Sequence, residues 1–257
     1  MASLHIETHG QGEPLVLLHG WGVNGGVFSK LVPLLADRFQ LSVIDLPGFG
    51  QSQGMPAQHS ALAMAELVAE QVPQQAIWLG WSLGGLVAKE AALNRLGEPK
   101  ALVTVASSPR FLDEDHWPGI KPSVLEQFAA SLDGELAKVI ERFLAIQAMG
   151  SETARTDIKA LREAVLARPL PSREALAAGL AILDSADLRP ALADIRLPFL
   201  RLYGRLDALV PGRVIARVDE LSPGSQSHTF AHASHAPFIS HPREFVARLT
   251  AFADALA

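Results

Sequence analysis

Residues 80–84 have the pattern G-x-S-x-G, with Ser82 at the centre. An apolar run at Ala76 to Leu79 precedes the pattern, and a helical pattern begins near Leu83. A strand that turns sharply into a helix exposes the serine hydroxyl, and flanking glycines leave room for the crowded backbone. This setting predicts that Ser82 is a nucleophile for acyl transfer through a covalent acyl-serine.

A serine nucleophile needs a base, and the base needs a group that orients it. His235 comes after the last apolar run and before the terminal helical pattern, so it should lie at the same end of a sheet as Ser82. Asp207 follows the apolar run Phe199 to Tyr203. An imidazole can take the serine proton, and a buried carboxylate can hold the imidazole in the required tautomer. The order serine, aspartate, histidine is the one expected for this motif on an α/β sheet.

Two other polar residues, His19 and Asp45, also lie at strand ends, where a base or an orienting carboxylate would be placed. His19 is interpreted as a support that hydrogen-bonds within its own loop. Asp45 opens the turn at 45–52 and is interpreted as structural, because a catalytic Asp45 would precede Ser82 and break the expected order. The remaining histidines are interpreted as surface or structural residues.

The tetrahedral intermediate of acyl transfer carries an oxyanion that needs preorganised hydrogen-bond donors. The backbone N–H of Leu83, directly after the nucleophile, is expected to be one donor. The second should come from the loop after the first well-marked strand, at residues 18–22, and we assign it to the backbone N–H of Trp21.

The elements that would position these residues follow from hydropathy patterning. Short apolar runs alternate with helical patterns, which predicts an α/β fold with a mostly parallel sheet flanked by helices. The predicted strands are Leu15 to Leu18, Leu41 to Asp45, Ala76 to Leu79, Ala101 to Ala106, Phe199 to Tyr203 and Ser227 to Phe230. The predicted helices are Phe28 to Leu35, Ser60 to Gln71, Leu83 to Leu93, Arg213 to Leu221 and Pro242 to Leu256.

The alternation stops at residues 111–188, where Ala, Leu, Glu and Arg dominate. We expect an all-helical insertion of about four helices, acting as a lid over a core made of residues 1–110 and 189–257. We call residues 111–188 the inserted segment. Ser123 with Glu126 suggests a capping box, Gly134 and Gly150 suggest breaks, and Ser151 and Ser172 are candidate N-caps.

Composition narrows the function classes. The chain has 257 residues, 49% of them hydrophobic, with a formal net charge of −5 and scattered cations, so nucleic acid is not an expected partner. It has no cysteine, which excludes a thiol nucleophile and thiolate metal sites.

The sequence suggests neither a signal peptide nor a membrane-spanning helix, so a cytoplasmic protein is expected. The chemistry described above requires no cofactor and no metal.

Several stretches resemble a known family. The motifs at 19–22, 45–52, 80–85, 203–207 and 233–240 resemble the α/β-hydrolase superfamily, and those at 102–109, 117–122 and 141–145 resemble the BioH family of carboxylesterases. Members of that family hydrolyse the methyl ester of pimeloyl-[acyl-carrier protein] in biotin synthesis. The resemblance therefore implies an acyl carrier protein bearing a methyl-pimeloyl chain as partner, and a monomeric enzyme is expected.

The resemblance also implies substrate contacts. The ester would contact Trp21, Ser82, Leu83 and His235, and the acyl chain would contact Phe143, Leu144, Ala145, Ile146 and Gln147. The acidic carrier would meet two pairs of cations, each four residues apart on a helix: Lys138 with Arg142, and Arg155 with Lys159. Nearby glutamates leave open that these are ordinary mixed-charge helix surfaces.

Two alternatives stay open at this point. The same triad could serve a broad-specificity short-chain carboxylesterase or a related lyase or perhydrolase, because one fold hosts many chemistries. A non-catalytic ligand-binding protein would need only the pocket, and an intact set of Ser82, Asp207 and His235 disfavours it.

Overall fold

A computed structural model of the chain describes residues 3–147 and 154–256. Seven strands form one sheet with the spatial order β1-β3-β2-β4-β5-β6-β7. All neighbouring pairs are parallel except β1 with β3, which is antiparallel. The strands are β1 His5–His9, β2 Glu13–Leu18, β3 Phe39–Asp45, β4 Ile77–Trp81, β5 Ala101–Val105, β6 Phe199–Gly204 and β7 Gln226–Phe230.

Ten α-helices are found in the described residues, four of them between β5 and β6. The first three are α1 Val32–Leu35, α2 Ala61–Ala69 and α3 Leu83–Leu93. The four in the inserted segment are α4 Pro122–Ser131, α5 Leu136–Gln147, α6 Ala154–Leu166 and α7 Arg173–Ser185. The last three are α8 Val214–Leu221, α9 Pro237–Ser240 and α10 Pro242–Asp254.

The α/β-hydrolase architecture predicted from the sequence is confirmed, and each of the six predicted strands is present to within two residues at either end. The strand β1 was not predicted, because its side chains are mostly polar and only partly buried, as expected at a sheet edge. The helix predicted at 28–35 is wrong in its extent: a 3-10 turn at Gly25–Phe28 precedes a short α1 that carries a proline in its first turn.

Helix starts in the inserted segment partly follow the predicted caps. Ser172 caps α7, since its side chain accepts a hydrogen bond from the Ala175 N–H. The predicted capping box at Ser123 is wrong, because Lys121 is the N-cap of α4. Pro122 follows as the first helical residue, a position whose N–H needs no partner within the helix. Gly134 lies in the break between α4 and α5. Gly150 and Ser151 lie outside the described residues.

Two hydrophobic clusters cover opposite faces of the sheet. Strand residues alternate between them: Leu15 and Leu17 of β2 pack in one cluster, and Val16 and Leu18 pack in the other. This alternation follows from the two-residue repeat of a strand. Helix α5 joins both clusters, which fastens the inserted segment to the core.

Candidate active site

Ser82 lies between the last residue of β4 and the first residue of α3, with φ 55° and ψ −116°. A non-glycine residue rarely adopts this conformation, so the surrounding structure must hold it. A Cβ at Gly80 would overlap the Gly84 carbonyl, and a Cβ at Gly84 would overlap the Leu18 carbonyl. The two motif glycines therefore allow the backbone approaches that this turn requires.

His235 and Asp207 form a buried hydrogen-bonded pair. His235 Nδ1 lies 2.8 Å from Asp207 Oδ2. The other oxygen, Asp207 Oδ1, accepts the backbone N–H groups of Leu209 at 2.8 Å and Val210 at 3.0 Å. Because a carboxylate can only accept, Nδ1 of His235 carries the proton and Nε2 carries the lone pair.

The backbone of His235 is held on both sides. The Trp81 indole N–H donates to the His235 carbonyl at 2.8 Å, and the His235 N–H donates to the Gln147 carbonyl at 3.1 Å. Trp81 directly precedes Ser82, so this bond connects the base to the strand that ends at the nucleophile. His235 Nε2 is buried and has no hydrogen-bond partner within residues 3–147 and 154–256. A basic nitrogen without a partner is available to a serine proton.

The loop after β2 lies against the turn at Ser82. A Cβ at Gly20 would lie 3.2 Å from the Ser82 Cβ. His19 is buried, and its Nε2 accepts the Leu46 N–H at 2.9 Å, so its Nδ1–H donates to the Gly20 carbonyl at 2.8 Å. Burial lowers the pKa of His19. The prediction that His19 supports its own loop is confirmed.

The Trp21 side chain connects this loop to the inserted segment. Its indole N–H donates to the Leu176 carbonyl on α7 at 2.8 Å. Its ring lies edge-on to Phe143 of α5 and Phe128 of α4, with centroid separations of 4.6 and 5.9 Å. A Cβ at Gly179 would lie 2.6 Å from the Trp21 Cδ1. The Trp21 side chain therefore packs against three helices of the inserted segment, α4, α5 and α7.

The structure brings only part of the sequence 143–147 to this site. Phe143 contacts Trp21, and the Gln147 carbonyl contacts His235. Leu144 packs in the cluster that contains Leu15 and Leu17, Ile146 is half-buried beside the cluster that contains Val16 and Leu18, and Ala145 is exposed. Consecutive helical residues point in different directions, so five adjacent residues do not all face one pocket.

The four cations expected to meet a carrier protein lie on α5 and α6, which pack against each other. Lys138 pairs with Glu135 at 2.8 Å, and Lys159 pairs with Glu163 at 3.8 Å. The Arg142 guanidinium lies 5.4 Å from the centroid of the Phe128 ring. Arg155 is exposed near the start of α6. The two pairs therefore lie on neighbouring helices of the inserted segment.

Asp45 has a structural environment, as expected. Its Oδ1 accepts the Gly25 N–H at 2.6 Å, its Oδ2 accepts the Gln51 N–H at 2.7 Å, and Arg168 lies within 3.1 Å of both oxygens. Sequence reasoning missed Arg168, because 123 positions separate it from Asp45. This ion pair fastens the end of α6 to the core.

Comparison with known proteins agrees with this geometry. Residues 13–242 match a family model described as the alpha/beta hydrolase fold. A pimeloyl-[acyl-carrier protein] methyl ester esterase of Klebsiella pneumoniae is 53% identical over 252 residues, covering 98% of each chain. One of Photobacterium profundum is 54% identical over 246 residues, covering 96% of each. The chain thus belongs to the α/β-hydrolase family and, within it, to the family of pimeloyl-[acyl-carrier protein] methyl ester esterases.

Solved structures of other hydrolases share the fold. An esterase from Exiguobacterium antarcticum superposes with a TM-score of 0.85 at 22% identity, covering 98% of this chain and 99% of its own. A bromoperoxidase from Bacillus anthracis has the same TM-score and identity, covering 98% and 95%. In the described part of the chain, no helix is long and apolar enough to cross a membrane.

Proposed function

We propose that the chain is a serine esterase that hydrolyses the methyl ester of pimeloyl-[acyl-carrier protein], releasing methanol, in biotin synthesis. The observation that carries this proposal is the buried His235–Asp207 pair, joined through Trp81 to the strained Ser82. Full-length relatives at 53 and 54% identity are named for this activity, which supports the substrate.

In the first half of the reaction, Ser82 Oγ attacks the ester carbonyl while His235 Nε2 takes its proton. The backbone N–H groups of Trp21 and Leu83 receive the oxyanion, and Asp207 stabilises the imidazolium. Protonated His235 then gives its proton to the departing methoxide, so methanol leaves and Ser82 holds the pimeloyl group as an ester.

In the second half, water replaces the alcohol. His235 Nε2 takes a proton from water as the oxygen attacks the acyl-serine, and the same two N–H groups hold the second oxyanion. Collapse returns the proton to Ser82 Oγ and frees the carboxylate. Every proton is carried by His235.

The inserted segment acts as a lid in this proposal. Phe143 and Phe128 present aromatic surface beside Trp21, and apolar walls suit the methylenes of a pimeloyl chain. The hydrogen bond from the His235 N–H to the Gln147 carbonyl connects α5 to the base. In this proposal, α5 therefore contributes to substrate binding and also helps to position the base.

The exposed surface of α5 and α6 is where the acidic carrier would dock. Lys138, Arg142, Arg155 and Lys159 place four positive charges on neighbouring helices. The glutamates that pair with Lys138 and Lys159 are exposed, so replacing them by carboxylates of the carrier costs little free energy. The monomeric state and the cytoplasmic location stay predictions.

The test compares wild type with Ser82→Ala on pimeloyl-carrier methyl ester and on a short free aryl ester. We expect Ser82→Ala to lower kcat by roughly 10⁶-fold on both, as removal of a triad member does elsewhere. Wild type should have the larger kcat/KM on the carrier ester. Equal kcat/KM on the free ester would indicate a general carboxylesterase, and unchanged turnover by Ser82→Ala would overturn the mechanism.

A further inference from the structure

A buried lysine lies behind the nucleophile turn without any part in the mechanism above. Lys89 is on α3, seven residues after Ser82, and is only 1% exposed. Its Nζ lies 2.9 Å from Ser107 Oγ and 3.4 Å from the Ser108 carbonyl. Burying a lysine side chain costs free energy, so the position of Lys89 needs an explanation.

Ser107 links this lysine to the nucleophile turn. Its Oγ donates to the Ser82 carbonyl at 2.9 Å. A carbonyl cannot donate, so the single hydroxyl hydrogen of Ser107 is used in that bond, and Lys89 must donate to Ser107 Oγ. An ammonium has no lone pair and cannot compete for the hydrogen. Protonated Lys89 thus leaves Ser107 one orientation, toward Ser82.

The Ser82 carbonyl belongs to the peptide unit that also contains the Leu83 N–H. The unit is planar and trans, so the carbonyl and the N–H point in opposite directions and turn together. Fixing the carbonyl therefore fixes the direction of the N–H. Leu83 is the first residue of α3, and its N–H has no partner within the helix.

From this geometry we infer that Ser107 is a positioning residue for the oxyanion donor Leu83 N–H, and that Lys89 keeps the Ser107 hydroxyl directed at the Ser82 carbonyl. The inference rests on the proposed function, since it concerns the same acyl-transfer site. A hydrogen bond to the carbonyl also polarises the N–H at the other end of the peptide unit, which strengthens its donation.

The charged surroundings of Lys89 make this arrangement sensitive to pH. Burial and the positive charge of Arg201 on β6 lower the pKa of Lys89 to about 7. Strands β4 and β5 carry no charged residue, and the packed helix α2 offers only the exposed Glu66, with the exposed Glu70 directly after it. Above that pH the neutral amine has a lone pair, which competes with the Ser82 carbonyl for the Ser107 hydrogen.

The first experiment compares Ser107→Ala with Ser108→Ala. Both serines are buried, but the Ser108 hydroxyl donates to the Arg110 carbonyl, away from the turn. We expect Ser107→Ala to lower kcat about tenfold, less than the roughly 100-fold or greater loss on removing an oxyanion donor outright. KM should stay within about twofold, because ground-state binding is unchanged. Affinity for a trifluoromethyl ketone, which forms the oxyanion, should fall with kcat.

The outcomes separate this inference from the proposed function. A Ser107→Ala variant with the kcat of Ser108→Ala would overturn it, while loss of turnover in Ser82→Ala would still support the esterase. If Ser107→Ala does not fold, Ser107→Cys keeps the volume with a weak donor and should show the same loss. Parent-like kcat in Ser107→Cys would overturn the inference.

The second experiment tests Lys89 through the pH profile of kcat. In wild type, kcat should fall about twofold as the pH rises from 7 to 9, because the Ser107 hydrogen is then shared between two acceptors. The methionine side chain of Lys89→Met does not titrate, and its thioether is only a weak acceptor, so this fall should disappear. An alkaline fall in Lys89→Met equal to that of wild type, or no fall in wild type, would overturn the part assigned to Lys89.

Discussion

The nucleophile turn and the inserted segment hold their polar groups in different ways. At the turn, Ser82 donates its N–H to the Val105 carbonyl at 2.9 Å, and its own carbonyl accepts from Gly85 and Ser107. In the inserted segment, the side chains of Lys138 and Lys159 are 77 and 76% exposed, with exposed glutamates as partners. Surface pairs of this kind contribute about 0–1 kcal/mol. The nucleophile turn is thus held by buried hydrogen bonds, whereas the two lysines of the inserted segment have exposed partners that can exchange.

The first prediction that separates the two regions concerns the base. Asp207→Asn should lower kcat by about 10⁴-fold, because an amide does not hold the imidazole in the required tautomer. KM should change little. The measurement is steady-state kinetics on the carrier ester and the free ester, with Asp254→Asn, an exposed aspartate paired with Arg38, as control. More than a tenth of wild-type kcat in Asp207→Asn would contradict the assigned role.

Charge reversal on the inserted segment should change binding without changing chemistry. Lys138→Glu with Arg142→Glu should raise KM for the carrier ester about tenfold at low salt, because like charges repel the acidic carrier. Turnover of the free aryl ester should be unchanged. The matched control is Arg213→Glu with Arg217→Glu, a pair of the same spacing at α8.

The salt dependence of KM provides the second readout of that experiment. Raising the ionic strength should weaken carrier binding in wild type and leave the double reversal nearly unaffected, since salt screens exposed charges. A tenfold rise in KM for the α8 control as well would show that net charge acts, and not this surface.

The sequence predicted most of the core because apolar runs and strand-end polar residues carry strong local signals. It predicted the turn at Ser82, and it predicted His235 and Asp207, whose side chains are hydrogen-bonded to each other. It did not predict the contacts of Arg168 with Asp45, since they depend on packing between distant segments. Lys89 was missed for a different reason, because a helical lysine is ordinarily exposed.

The smallest expected effect concerns the helix caps of the inserted segment. Ser172→Ala should lower the free energy of unfolding by about 1 kcal/mol and speed hydrogen exchange in the first turn of α7, because the Ala175 N–H loses its partner. Ser123→Ala should change it by less than about 0.5 kcal/mol, since Lys121 occupies the N-cap position of α4 and Ser123 lies inside the helix. Equal losses in both variants would show that Ser123 contributes as a cap after all.

Covalent labelling can test whether Ser82 is the nucleophile and whether His235 activates it. Wild type would be treated with an alkyl fluorophosphonate, and the adduct located by peptide mass spectrometry. We expect one adduct per chain, on the peptide containing Ser82, with labelling slowed by several orders of magnitude in a His235→Ala variant. Full inactivation with the adduct on another residue, or equally fast labelling of His235→Ala, would contradict it.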